Sequence, residues 1–395
     1  MSVFTPATEA DVADIVRDAR TRKAPLNIVG GGTRAGLGRP AASGDTLSTA
    51  ALSGITLYEP AEMVISAKAG TPLREIEAAL DEKAQILPFE SMDFRALYGT
   101  TGEPTIGGVA ASGASGPRRV QSGAARDQLI GVRFVNGRGE MVKSGGRVVK
   151  NVTGLDLVKI NGGALGTLGV LTEVTFKLTP APRDSATLVF EGLDDPRAVA
   201  CLCAAMGSPF EVGGAAHLPA GVGGDVARTL LRIEHFPESV AYRCDKLAAA
   251  LADFGVPARL DHAATRAIWR DIRDVVPLAE PRDRAIWKIS VAPTLAPGVV
   301  ASIARGINAR WFYDWSGGLV WLATPAEGDC GAAIIRAAVA TTTGHATLIR
   351  APDEARAAVD VFQPLPEALM KLTRGLKASF DPDGLLNAGR MYAGV

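Results

Sequence analysis

The chain has 395 residues, is 47% hydrophobic, and carries 42 basic against 42 acidic side chains. That length accommodates two or three domains with a substantial core. Zero net charge leaves no electrostatic footprint for nucleic acid or an anionic membrane, and no apolar run reaches the ~18–20 residues of a membrane span.

In chain order, residues from Thr8 to Arg20 predict a helix. Thr8 is placed to cap it with Asp11 three residues on, and Val12, Ile15, Val16 and Ala19 form one apolar stripe. This opening lacks a basic segment followed by an apolar one, so it does not read as a secretory leader, and the expected location is the cytoplasm. Leu26 to Val29 predicts a strand running into glycines. Met63 to Ala67 predicts another, passing through Gly70 to Thr71-Pro72, a cap with proline at the first helical position, and a helix burying Leu73, Ile76 and Leu80. Residues from Gln85 to Pro117 are poor in helix signals. Asn136-Gly137 between two apolar runs predicts a hairpin, and Val170 to Leu178 alternates as a strand. Thr179-Pro180-Ala181-Pro182 suggests a domain boundary. Beyond it, strands (Thr187 to Phe190, Trp287 to Val291, Leu319 to Ala323) mix with Ala-rich helices (Val240 to Phe254, Gly331 to Thr341). The expected class is α+β: a cofactor domain at 1–181, an α+β cap at 182–340, and a terminal segment at 341–395 that packs back on the first domain.

Three glycine-rich stretches carry the chemistry. The first, from Val29 to Gly38, contains Gly30-Gly31-Gly32-Thr33-Arg34-Ala35, a formal match to a dinucleotide-binding turn. That turn must open a helix with an acid about 20 residues on. Gly36-Leu37-Gly38-Arg39-Pro40 cannot be a helix, and no Gly-Lys-Ser/Thr exists for a Walker-type loop. Consecutive glycines can still turn several backbone N–H groups toward one anion; the alternative is a solvent turn.

The second stretch runs through Thr105, Gly107, Gly108, Ala111, Ser112, Gly113, Ser115 and Gly116, with no charge and little bulk. Such backbone suits a large planar or phosphorylated ligand. The third runs from Asn161 to Gly169 and Val170. Three such stretches in 180 residues suggest a long cofactor with a diphosphate centre, such as FAD.

These residues resemble a known family. Gly30-Gly31-Gly32-Thr33, Ala69-Gly70-Thr71, Thr105-Ile106-Gly107-Gly108, Asp127 to Gly131 and Gly166 to Val174 are similar to the FAD domain of the vanillyl-alcohol oxidase / p-cresol methylhydroxylase type. Arg147 to Asp156, Trp287 to Val291, Gly344 to Leu348 and Asn387-Ala388-Gly389-Arg390 narrow the resemblance to the E subunit of glycolate oxidase (glycolate dehydrogenase). It implies two subdomains clasping FAD, a cap, and a C-terminal return that brings Asn387 and Arg390 near the flavin. It also implies a flavin-containing D subunit, an iron–sulfur F subunit, and contact with the inner face of the plasma membrane through those partners.

Many family members tether FAD through histidine or cysteine. Here neither occurs before Cys201, so the expected flavin is non-covalent. The four cysteines form no Cys-x-x-Cys pair, and the four histidines are far apart, so neither a cluster nor a metal site is expected. Oxidising a 2-hydroxy acid requires a cation for the carboxylate, a base for the hydroxyl proton and flavin N5 for the hydride. His345 is the candidate base, with a hydrogen-bonded structural histidine as the alternative. Lys288 and Arg350 are candidate carboxylate holders, with surface ion pairing as the alternative. Three functional readings follow: a subunit of a glycolate-oxidising complex, a stand-alone FAD-dependent 2-hydroxy-acid dehydrogenase, and an assembly subunit with structural FAD.

Overall fold

A computed structural model of the chain describes residues 1–146 and 156–395. The stretch of the Arg147 to Asp156 motif before Asp156 therefore lies outside the described residues. The first helix, Glu9–Arg22, begins at a capping box: Thr8 accepts from the Asp11 amide while the Asp11 carboxylate accepts from the Thr8 amide. Two orphan donors at the helix start are thereby satisfied. Val12, Ala13, Val16 and Ala19 face inward, and Lys23 closes the helix in the left-handed conformation.

The described strands fall into four sheets. Leu26–Val29 lies in a three-stranded parallel sheet beside Asp45–Ser48, with Val3–Phe4 on the far side. The first helix and this sheet share a core with Val135, Val170, Leu385 and Leu386. Ile55–Glu59, Val64–Lys68, Val170–Lys177, Leu129–Val135 and Met141–Gly145 form a five-stranded antiparallel sheet in that spatial order. One face packs under Leu73, Ile76 and Leu80 of the helix Leu73–Asp81 and under Ile106 and Val109. Thr71 does not cap that helix. Its hydroxyl turns back to the carbonyls of Lys68 and Gly54, and Pro72 takes the cap position. The predicted hairpin at Asn136-Gly137 is present with a longer loop: the Asn136 side chain accepts from the amides of Arg138 and Glu140.

A further antiparallel sheet has eight strands and ends on Arg284–Ser290 and His345–Arg350. Helices Asp195–Met206, Pro237–Ala250, Ala296–Gly306 and Ala332–Ala340 contribute to the cores on one of its faces. Its other face shares a core with Leu37, Met92, Phe94 and Leu97 of the first 181 residues. The strand His345–Arg350 follows the expected division at residue 340 yet pairs with Arg284–Ser290. The returning segment is locked differently. The Lys377 ammonium, on helix Glu367–Phe380, donates to the Thr167 and Leu386 carbonyls and to the Asp381 carboxylate, all at 2.7–2.8 Å.

Candidate cofactor and substrate site

Strand Leu26–Val29 delivers Gly30 to Arg34 to the mouth of an open cavity whose empty space, with its solvent-facing part included, is about 820 Å³. Among the described residues, no amide from Gly30 through Arg34 has an intramolecular acceptor. Five consecutive free N–H groups are an anion nest. The sequence dictates this local form. A Cβ on Gly31 would fall inside the Glu103 carbonyl, and Gly32 adopts φ +75°, a conformation few other residues hold without strain.

Arg34 places a cation beside these amides. Its Nη2 donates to the Met92 carbonyl at 3.0 Å, and its guanidinium lies 5.2 Å from the Phe94 ring centroid. Its Nε and Nη1 are buried with no partner, and burial pulls the guanidinium down to about 10. A buried cation with unspent donors, beside a row of free amides, is the complement of a diphosphate.

The second small-residue stretch is not loop throughout. Ile106–Ser112 is a helix, capped by the Thr105 hydroxyl accepting from the Gly108 amide. Glycine's poor helix propensity is overridden by packing, because a Cβ on Gly107 would lie 2.6 Å from Ala69 Cβ. The Ile106 and Gly107 amides are already spent on the carbonyls of Thr71 and Ala69. This wall therefore offers shape and apolar contact at Ala111 and Ser112, not free donors.

Asn387 ties in the C-terminal return, accepting from the Ile28 amide at 2.8 Å and donating to the Leu165 carbonyl at 2.7 Å. Arg390 Nη2 donates to Ala35, and its carbonyl accepts from Arg39.

Of the expected cofactor residues, Gly30, Gly31, Gly32, Thr33, Arg34, Thr105, Gly107, Gly108, Ala111, Ser112, Gly169, Asn387 and Arg390 line this cavity. Gly36, Gly70, Gly113, Ser115, Gly116 and Val170 do not. Gly36 abuts the Tyr98 ring, Gly70 the Thr49 backbone, and Gly113 the Gly163 backbone. Gly116 is hydrogen-bonded to Phe89 and Glu90, Ser115 accepts from the Ala125 amide, and Val170 is core. Thr49, Ala69, Leu165, Gly166 and Leu171 also line the cavity; Leu165 and Gly166 fall in the third glycine-rich stretch, Ala69 and Leu171 in motifs that carry the resemblance, and Thr49 in neither. Most of these read as ordinary core positions in sequence. The set fits FAD: apolar walls for a planar ring, and free amides with a cation for the diphosphate.

The substrate-side candidates separate. Arg350 donates to the carbonyls of Arg284, Leu97, Ala279 and Pro281, so it is a clamp between the cap and the first domain and has no fork left for a carboxylate. This corrects its expected role. Lys288 and His345 share the sheet face turned toward the first domain, since Ser290 lies opposite His345 and two residues from Lys288. Lys288 Nζ lies 4.8 Å from the Trp315 ring centroid, and burial followed by Arg119 lowers it to about 8. His345 is pulled below its ordinary value by partial burial of its ring, then by Lys288 and Arg119. Buried Asp314 is pushed up to about 7 by burial, against the hydrogen bond it accepts from the Trp315 amide. Trp311 and Trp321 belong to the cap: the first donates to Asp195, the second is in the core. Among the described residues no group of three or more metal-ligating side chains converges, and no helix is long and apolar enough to cross a membrane.

Residues 2–145 match a family model described as an FAD binding domain. Over 378 residues the chain is 34% identical to glycolate oxidase subunit GlcE of Escherichia coli, covering 96% of this chain and 95% of that one. Over 190 residues it is 30% identical to D-2-hydroxyglutarate dehydrogenase of Xanthomonas citri pv. viticola, covering 48% of this chain and 39% of the relative. Among solved structures, p-cresol methylhydroxylase with substrate bound superposes at a TM-score of 0.75 and 13% identity, covering 99% of this chain and 88% of that one. At that identity the shared property is the fold.

Proposed function

The chain belongs to the glycolate oxidase E-subunit family of FAD-dependent oxidoreductases, and on that premise we propose that it works in a complex oxidising glycolate or another small 2-hydroxy acid. Its partners are a flavin-containing D subunit and an iron–sulfur F subunit that takes the electrons. Its place is the cytoplasm, at the inner face of the plasma membrane through those partners. The supporting observation is the coincidence of full-length similarity to a glycolate oxidase subunit with a cavity whose free amides and unpaired Arg34 suit FAD. The first 181 residues hold the cofactor, the following sheet caps it, and the terminal segment seals it through Asn387 and Arg390.

Bound FAD supplies the two-electron acceptor. The Gly30 to Arg34 amides and the Arg34 guanidinium would hold its diphosphate, and the small residues about Ala111 and Ser112 would offer apolar wall to its ring system. Lys288 holds the substrate carboxylate. His345, kept neutral near pH 7 by its depressed affinity for protons, is free to take the hydroxyl proton.

Affinity purification from the native host tests the assembly. Co-purification with an iron–sulfur protein and a visible flavin band is the expected result; a colourless chain that takes up no FAD overturns the cofactor assignment. One observation favours a second reading, a chain that oxidises its substrate unaided: Lys288 and His345 lie on one face toward the cofactor domain. Anaerobic mixing of the isolated FAD-loaded chain with glycolate or D-lactate separates the two. Bleaching without partners supports the stand-alone enzyme, and bleaching only in the complex supports the subunit. A flavin never reduced in either setting marks a structural cofactor.

A further inference from the structure

A second cationic group lies outside the Gly30 to Arg34 nest, around Trp315. Two cations sit over this one indole: Arg119 with its guanidinium carbon 4.7 Å from the ring centroid, and Lys288 with Nζ at 4.8 Å. They come from different parts of the molecule. Arg119 begins the short helix Arg119–Ser122 of the first domain, whereas Lys288 lies on a cap strand. Among the described residues, neither side chain has a hydrogen-bonded carboxylate or an ion pair. Two other cations between the first domain and the cap are matched. Arg232 bonds Glu90 through both terminal nitrogens, and Arg118 pairs with Glu234. An indole face attracts a cation but carries no net charge; the carboxylates that act on the pair, Asp127 on Arg119 and Asp314 on Lys288, do so without a hydrogen bond to either.

The placement is set by the fold. Trp315 Nε1 donates to the Gly116 carbonyl at 3.1 Å, which pins the ring to the tail of the small-residue segment lining the cofactor cavity at Ala111 and Ser112. Trp315 shares a hydrophobic cluster with Leu165, another cavity residue. The Arg119 charge acts on Lys288 and helps to lower it, so one anion can feel both, and a planar group with two negative oxygens suits a guanidinium and an ammonium.

We propose that Arg119 and Lys288, held together over Trp315 at the junction of cofactor domain and cap, form a two-cation seat for the carboxylate of a small 2-hydroxy acid. The seat deepens the function proposed above and rests on it for the hydroxyl group of its ligand, though not for the carboxylate. Arg119 replaces Arg350 as the partner of Lys288. Trp315 is a positioning residue: it spaces the two cations, and its own hydrogen bond to Gly116 registers the cap on the first domain. Asp314, one residue away, keeps the seat from carrying its full positive charge once it ionises.

The test uses oxalate, a two-carbon dicarboxylate with no hydroxyl to oxidise, bound to the FAD-loaded protein in the form in which it purifies. Calorimetric titration is expected to show that Arg119→Gln and Lys288→Gln each weaken oxalate binding about tenfold or more, and that Arg119→Lys retains part of it. Flavin content equal to the parent protein verifies that each variant is folded. A readout free of substitutions accompanies it. Reductive methylation of the parent protein, mapped by mass spectrometry, should label Lys288 less when oxalate is present. Equal labelling with and without oxalate, absence of oxalate binding, or unchanged affinity in folded Arg119→Gln and Lys288→Gln overturns the seat. If that happens while glycolate still reduces the flavin, the oxidoreductase proposal stands without it. If oxalate binding depends on both residues while glycolate never reduces the flavin, the seat stands and that proposal falls.

Discussion

In the cofactor cavity the groups without partners are mainly backbone amides, from Gly30 to Arg34, whereas on the cap sheet the reactive groups are side chains whose neighbours come from other strands. Two arginines condense the contrast. Arg34 keeps two buried nitrogens unpaired beside the nest, while Arg350 gives its donors to four carbonyls. The first is built to meet something the chain does not contain. The second is consumed in holding two layers together. A buried cation by itself therefore says little; the state of its donors distinguishes a binding group from a clamp.

The contrast breaks if the two arginines exchange roles on substitution. The largest effect is expected for Arg350→Met, which leaves the Leu97 and Ala279 carbonyls buried without donors; urea unfolding should show a loss of about 3 kcal/mol or more, with flavin affinity in the surviving folded protein little changed. Next comes Gly31→Ala, whose added Cβ meets the Glu103 carbonyl: a stability loss of about 1–3 kcal/mol together with loss of retained FAD after gel filtration. Gly298→Ala, with open space at its Cβ, is the matched control and should alter neither.

Arg34→Met should give the inverse of Arg350→Met. Flavin titration should show affinity lower by about tenfold or more, while unfolding free energy stays level or rises, because a buried charge with two unpaired nitrogens has been removed. Loss of stability without loss of FAD affinity would make Arg34 another clamp.

The smallest effect sharpens the cap side. As pH rises, Asp314 ionises near 7 and adds a negative charge beside the seat, and Lys288 then loses its positive charge near 8. His345, already below its ordinary value, loses any residual charge earlier, and Arg119 stays cationic. All three titrations make the seat less positive, so oxalate affinity should fall monotonically by a few-fold across that range; a rise would contradict the assignment of charges.

Much of the fold was readable without coordinates. The Thr8 and Asp11 capping pair, the apolar stripe of the first helix, the Asn136 turn and the strands at Leu26, Val170 and Leu319 rest on rules acting within a few residues. The helix at Ile106–Ser112 was not readable, because its sequence is among the poorest for a helix and forms one only where Gly107 meets Ala69. Likewise Thr71 seemed a helix cap until its hydroxyl was drawn to Lys68 and Gly54.

By itself the sequence determined the chemistry of the first loop. Three glycines, an absent helix and an arginine leave backbone amides as the available donors, and the lack of histidine or cysteine before Cys201 removes those tethers from that domain. Only the tertiary structure decided which cations meet at Trp315, between the cap and the first domain. Arg119 lies 169 positions from Lys288 in sequence, and the two meet because strand pairing and the Trp315 bond to Gly116 carry one onto the other. A backbone site is encoded by what glycine permits at a single place in the chain. A side-chain site depends on which distant segments the fold brings to the same ring.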